Sequence, residues 1–181
     1  MTNDIKKAIE KEGRLTLELK EKYFKGVDPL RIRDIFEEMG MDRHTPLELI
    51  STEIAVVTPF GILMQIRPYD NDQLGMWGGA AQDGEDPEDA AVRELKEETG
   101  IEIQKSQLKS YGIHDHFHQY ANGDKVLYKS YRYAVKFDYV PKITTDEESV
   151  GAVMVVHTIL DHQQDFIKFL LGEKWCRRIP T

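Results

Sequence analysis

Residues 79–101 read GAAQDGEDPEDAAVRELKEETGI. Asp86 can cap a helix start and Pro87 suits the first helical position, where no backbone N–H is needed. Gly100 can close the other end in a left-handed conformation. Between them, Glu94, Glu97 and Glu98 are spaced i, i+3, i+4, so their carboxylates share one face. Ala91, Val92 and Leu95 fall on a neighbouring arc that can bury. Three acids so close repel one another, and the helix gains from them only when a cation arrives. Hard divalent ions such as Mg2+ take carboxylate oxygens, with water and substrate phosphates completing the shell. Just upstream, Trp77-Gly78-Gly79 lets backbone approach the acids closely, because glycine has no side chain in the way. The reading is a metal site for phosphate chemistry.

The same residues fill the pattern G-x5-E-x7-R-E-U-x-E-E-x-G-U, U being aliphatic, at every specified position: Gly79, Glu85, Arg93, Glu94, Leu95, Glu97, Glu98, Gly100 and Ile101. A chance match at a given start is about one in 10^9. The chain thereby resembles the Nudix hydrolases over roughly residues 50 to 175. Two flanking positions depart from the common family form: Trp77 stands where many members have proline, and Gln82 where many have a glutamate.

The resemblance implies an α+β fold, an α/β/α sandwich with a mixed β-sheet, and the cleavage of a nucleoside diphosphate linked to another moiety. It implies a divalent cofactor, Mg2+ or Mn2+, held by Glu94, Glu97, Glu98 and the carbonyl of Gly78. Glu94 lies near the place where such enzymes orient or deprotonate water. Glu148, or its neighbour Glu147, is the candidate for a distal acid preceding the last strand. Arg93 can reach Glu97 at i+4 and, in resembling structures, Glu85, so Arg93 and Glu85 read as a scaffold pair. Family members are frequently homodimers, and a homodimer is expected here.

Outside the pattern, Arg67 sits where a strand feeds the glycine pair and could meet a phosphate. Trp77 and Tyr69 offer aromatic faces on which a base could stack. His114, His116 and His118 alternate, which puts all three on one face of a strand; His116 is the candidate substrate contact, and a zinc site is the less favoured alternative. Cys176 has no partner in view and reads as an incidental thiol.

The chain has 181 residues, enough for one domain with an appendage. Its net charge of −8 argues against a general nucleic-acid or anionic-membrane binder. It leaves open a nucleotide that arrives with its cation. A single cysteine, no apolar run of membrane-spanning length and a polar start favour a cytoplasmic protein. Residues 1–49 read as a helical extension, with helices expected over Asn3–Lys11, Leu15–Phe24 and from Asp28-Pro29 to Met39. They carry ten basic and eleven acidic residues, a near balance that speaks against a DNA-binding arm. Leu30, Ile32, Ile35, Phe36 and Met39 form a stripe that must be covered, by the core or by a second subunit.

Residues 50–181 read as the Nudix hydrolase domain. Ile54–Val57 and Ile62–Ile66 flank a tight turn at Thr58-Pro59-Phe60-Gly61, and residues 67–73 read as a polar loop. Leu108–Tyr120 and Val126–Val140 flank Asn122-Gly123, a strong hairpin cue. Val153–His157 reads as a last strand and Leu160–Leu171 as a closing helix. Two other functional classes are weighed beside the hydrolase. An isopentenyl-diphosphate-type isomerase on a similar fold would need a cysteine in the core, which is lacking. A catalytically silent nucleotide-sensing module would be favoured by degraded signature acids, and here all are intact. Nucleotide sugar, ADP-ribose and nucleoside triphosphate all remain open as substrates.

Overall fold

The computed structural model describes residues 2–67, 73–144 and 151–155. Tyr69, Glu147, Glu148, Cys176 and the expected closing helix lie outside these residues. Three helices come first: α1 (Thr2–Glu12), α2 (Leu17–Tyr23) and α3 (Pro29–Glu38). Then follow β1 (Leu47–Thr58), β2 (Gly61–Arg67), β3 (Gln73–Gly75), α4 (Pro87–Thr99), a single 3-10 turn (Lys105–Gln107), β4 (Lys109–Gln119), β5 (Lys125–Lys136) and β6 (Gly151–Val155). The strands form one sheet in the order β3-β2-β1-β5-β4, with β6 also paired to β2. This is the α+β class with a mixed sheet that the sequence led us to expect, preceded by the helical segment.

Local chemistry accounts for most boundaries. Asp28 caps α3 by accepting from the Leu30 N–H at 2.8 Å, with Pro29 as its first residue. Thr16 caps α2 through its hydroxyl, which trims the expected start at Leu15 to Leu17. The hairpin between β1 and β2 closes in register Thr58↔Gly61, leaving Pro59-Phe60 as a two-residue turn. Between β4 and β5, Gly123 takes φ 91°, while Tyr120 N–H donates to the Asp124 carbonyl at 2.8 Å. Gly100 takes φ 71° and ends α4 with its N–H on the Lys96 carbonyl at 2.8 Å.

Two expectations are corrected here. The polar loop after β2 ends in a short strand, β3, whose register Gln65↔Gly75 gives backbone partners that side-chain polarity cannot reveal. Leu30, counted in the buried stripe, is 64% exposed, because it sits in the first turn of α3 ahead of the residues that pack.

The chain divides into two compact units whose boundaries follow Ser51, Gly79, Pro87, Gly112 and Tyr131. In the unit that begins the chain, Ile5, Ile9, Leu15, Phe24, Ile32, Phe36 and Leu47 form a core. Ile32 and Phe36 of the α3 stripe are therefore covered within the chain, with Ile35 and Met39 packed against the same core. Arg33, 2% exposed, lies beside this core. Its guanidinium donates to the carbonyls of Arg43 at 2.8 Å and Lys125 at 2.9 Å and pairs with Asp124 at 3.3 Å. Burial pulls Arg33 below its ordinary value, and Asp124 opposes the shift. In the second unit the core is Ala55, Val57, Ile62, Met64, Met76 and Ala134. There Thr52 N–H donates to the Gly79 carbonyl and Ile54 N–H to the Trp77 carbonyl, both at 2.8 Å, which ties the glycine pair to β1.

Two outcomes test this packing. Phe36→Ala removes a fully buried ring set edge-on to Phe24 at 6.2 Å and should lower the unfolding free energy by about 3–4 kcal/mol in urea titration. Gly78 has φ 123°, and a methyl there would collide with the Thr52 carbonyl. Gly84 has φ 76°, and a methyl there would meet none of the described residues within 4 Å. Gly84→Ala should thus cost about 1–2 kcal/mol, the left-handed penalty alone. Gly78→Ala should cost clearly more in the same titration.

Candidate functional site

Helix α4 carries the acids, and its buried residues Ala90, Ala91, Leu95 and Thr99 hold it in place. Thr99 adds a hydroxyl bond back to the Leu95 carbonyl. With that arc turned inward, the three glutamates occupy environments of very different polarity. Glu98 is 7% exposed. Its Oε2 accepts from the Gly78 N–H at 2.6 Å, and its Oε1 faces Gln65 Nε2 at 3.5 Å. The same Gln65 nitrogen donates to the Met76 carbonyl at 2.7 Å, so it links the glycine segment to the acid. Glu94 is partly buried and accepts from Arg93 Nη1 at 2.7 Å. Arg93 Nη1 also donates to Glu97 Oε2 at 2.9 Å, the i, i+4 contact read from the spacing. Glu97 is the exposed member of the set.

The glycine pair meets these acids as closely as its lack of side chains permits. A Cβ on Gly79 would lie 2.8 Å from Glu94 Oε2 and 3.0 Å from Oε1, so a side chain there would require the carboxylate to move. Thr52 Oγ1, buried and without a hydrogen-bond partner among the described residues, would lie 3.1 Å from a Cβ on Gly78. The donor set here is all oxygen, which suits a hard divalent cation better than zinc or iron. Among the described residues no three His, Cys, Asp or Glu side chains stand grouped around a metal position. Glu98 is turned to the Gly78 amide, and Arg93 donates to both Glu94 and Glu97.

Trp77, read as a face for a stacked base, is corrected. It has no accessible surface, and its indole N–H donates to the Leu63 carbonyl at 2.8 Å. A buried ring with its one polar atom satisfied is a packing residue. Arg67 ends β2, at the register position Arg67↔Gln73. Gln65 is the site residue that sequence reading missed; two places from Arg67 on an ordinary strand, a lone glutamine carries no recognisable pattern.

Glu85 and the histidines belong to the first unit. Glu85 Oε2 accepts from the Gln82 N–H at 2.8 Å and closes a turn whose return bond, Glu85 N–H to the Gln82 carbonyl, is 3.0 Å. His114 and His116 stack at 6.4 Å, and His116 lies over Tyr128 at 5.3 Å. A hydroxyl chain leads inward from His116 Nδ1, 3.4 Å from Ser130 Oγ, which is itself 2.6 Å from Ser51 Oγ. His118 packs edge-on to Tyr120 at 4.4 Å. Burial and the Tyr120 hydroxyl hold the Tyr128 phenol above its ordinary value. Nearby, Leu30, Leu47, Leu49, Tyr120 and Tyr128 line a cavity of about 260 Å³.

The fold has relatives among solved structures. A MutT NUDIX hydrolase from Burkholderia pseudomallei is 19% identical, with a TM-score of 0.53 over 67% of this chain and 96% of that one. A MutT protein from Methanosarcina mazei Go1 is 17% identical, with a TM-score of 0.52 over 70% of this chain and 95% of that one. At such identities the likeness is one of fold. The family model described as NUDIX domain matches residues 50–170, well over half of the chain. No helix among the described residues is long and apolar enough to cross a membrane. The intact signature, the seating of its glycines against its glutamates and the match across 50–170 place this chain in the Nudix family.

Proposed function

We propose that the chain is a Mg2+-dependent pyrophosphohydrolase that cleaves a nucleoside diphosphate joined to a second moiety. The observation that carries this reading is the seat of Gly79 against the Glu94 carboxylate, with Glu98 bound to the adjacent Gly78 amide. Glu94, Glu97 and Glu98, with the Gly78 carbonyl, would hold the cation. When bound, that cation neutralises the bridging phosphates and polarises the P–O bonds.

The side chains divide the remaining work. Glu98 fixes the glycine backbone, so it sets where the loop presents its carbonyls. Arg93 spans Glu94 and Glu97 and offsets their mutual repulsion while no cation is bound. Glu94 is the base: water adds to phosphorus, the bridging P–O bond breaks, and the proton passes to the Glu94 carboxylate. Glu148, or Glu147, would supply the distal acid, and Arg67 would meet a substrate phosphate. Glu85 holds the loop through the Gln82 amide. Tyr69 and His116 are the candidate contacts to the nucleoside. The partner is thus a small nucleotide derivative rather than nucleic acid or membrane, and the expected assembly and compartment are a homodimer in the cytoplasm.

Incubation with Mg2+ and a panel of nucleotide sugars, ADP-ribose, dinucleoside polyphosphates and nucleoside triphosphates should yield cleaved product from at least one, abolished by EDTA. Tight binding of one member with no product from any would establish the nucleotide-sensing module instead. With the cleaved member, Glu97→Gln and Glu98→Gln should each lower kcat by about 10^2-fold or more, with the fold intact by circular dichroism. Wild-type turnover at saturating Mg2+ in either variant would remove that residue from the ligand set.

A further inference from the structure

Asp83 lies within the signature loop at a position the family pattern leaves unspecified. Both of its carboxylate oxygens are taken, and both donors come from the helical segment that begins the chain. Oδ1 accepts from Lys20 Nζ on α2, and Oδ2 accepts from the backbone N–H of Gly26. The Lys20 side chain is only 11% exposed, and burial at that level is costly for an ammonium without a partner. Gly26 takes φ 73°, a conformation that a side chain would strain. The Lys20 and Gly26 bonds hold the Asp83 carboxyl below the usual carboxylate range despite the opposing effect of burial.

The donors are themselves anchored. Glu48, 4% exposed at the start of β1, accepts from the first N–H of α2, that of Leu17, at 3.1 Å and from Arg14 Nε at 2.6 Å. The same strand holds the start of the loop, through the bridge Ser51↔Ala80 and the Ala81 N–H on the Ile50 carbonyl at 3.0 Å. The loop is therefore gripped by β1 near Ala80 and by Lys20 and Gly26 at Asp83, before it enters α4 at Pro87. We infer that Asp83, Lys20 and Gly26 form a positioning clamp, through which the amino-terminal helices hold the signature loop in the conformation that phosphoanhydride cleavage requires. The catalytic half of this inference rests on the function proposed above; the structural half does not.

The experiment uses the full chain and its variants Asp83→Ala, Asp83→Asn, Lys20→Met and the double variant Lys20→Met/Asp83→Ala. Amide hydrogen exchange without ligand should quicken about tenfold over residues 81–86 in Asp83→Ala and Lys20→Met, with little change in α3. With the panel member that the wild-type chain cleaves, kcat should fall about tenfold in Asp83→Ala while KM stays within about twofold. Asp83→Asn, which keeps an acceptor for the Gly26 amide, should recover part of both effects. The double variant should be no worse than Asp83→Ala alone, since both changes break one linkage. Unchanged exchange over 81–86 or additive effects would overturn the clamp, and a freed loop with unchanged kcat would overturn its catalytic half. A wild-type chain that cleaves nothing would instead overturn the proposed function and the catalytic half of the clamp, and the exchange data would then decide the structural half.

Discussion

The approach of Gly78 to Thr52 is the constraint on which the site depends. Backbone passes backbone there with no room for a methyl group, and Gly78 adopts a φ of 123° to do so. With the strand that close, Glu98 accepts the Gly78 amide and Gly79 lies against Glu94. A buried carboxylate bonded to a backbone amide is a strong, directional tie. It converts the register of the first strand into the position of the helix that carries the acids. Glycine is thus required here by distance as well as by conformation.

Much of this was legible in the residues. Asp28-Pro29, Pro87 and Gly100 mark helix ends because each acts on its own backbone, so local sequence is enough to read them. The spacing of Glu94, Glu97 and Glu98 reports a shared face for the same reason. Trp77 was misread because the character of its side chain says nothing about depth. Whether an indole meets solvent or a carbonyl is decided by Leu63, which lies well back in the sequence. β3 was missed because a three-residue strand is made by its neighbour's unpaired edge rather than by its own propensity. Gln65 and Asp83 escaped notice for a related reason: each is polar and unremarkable until a partner many residues away is placed beside it.

The helices at the start of the chain belong to the same structural logic. Their apolar faces are covered by one another and by Leu47 and Leu49, at the beginning of the central strand. Their polar groups are also committed. Lys6 donates to the carbonyls that end α3, at Met39 and Gly40. Glu48 joins α2 to β1. Segments that share buried carboxylates as well as apolar surface are expected to unfold together.

Arg33 has a consequence for where the domain begins. The family match starts at residue 50, yet this guanidinium reaches forward to the Lys125 carbonyl and to Asp124, which in turn receives His44 at 3.0 Å. Severing the chain at residue 50 would strip Asp124 of Arg33 and of His44, and would take Lys20 and Gly26 away from Asp83. The border that sequence likeness draws around a family is therefore displaced from the border that physics draws around a foldable piece. In this chain, likeness is traced from residue 50, whereas the compact unit that holds Asp124 takes in the first helix as well.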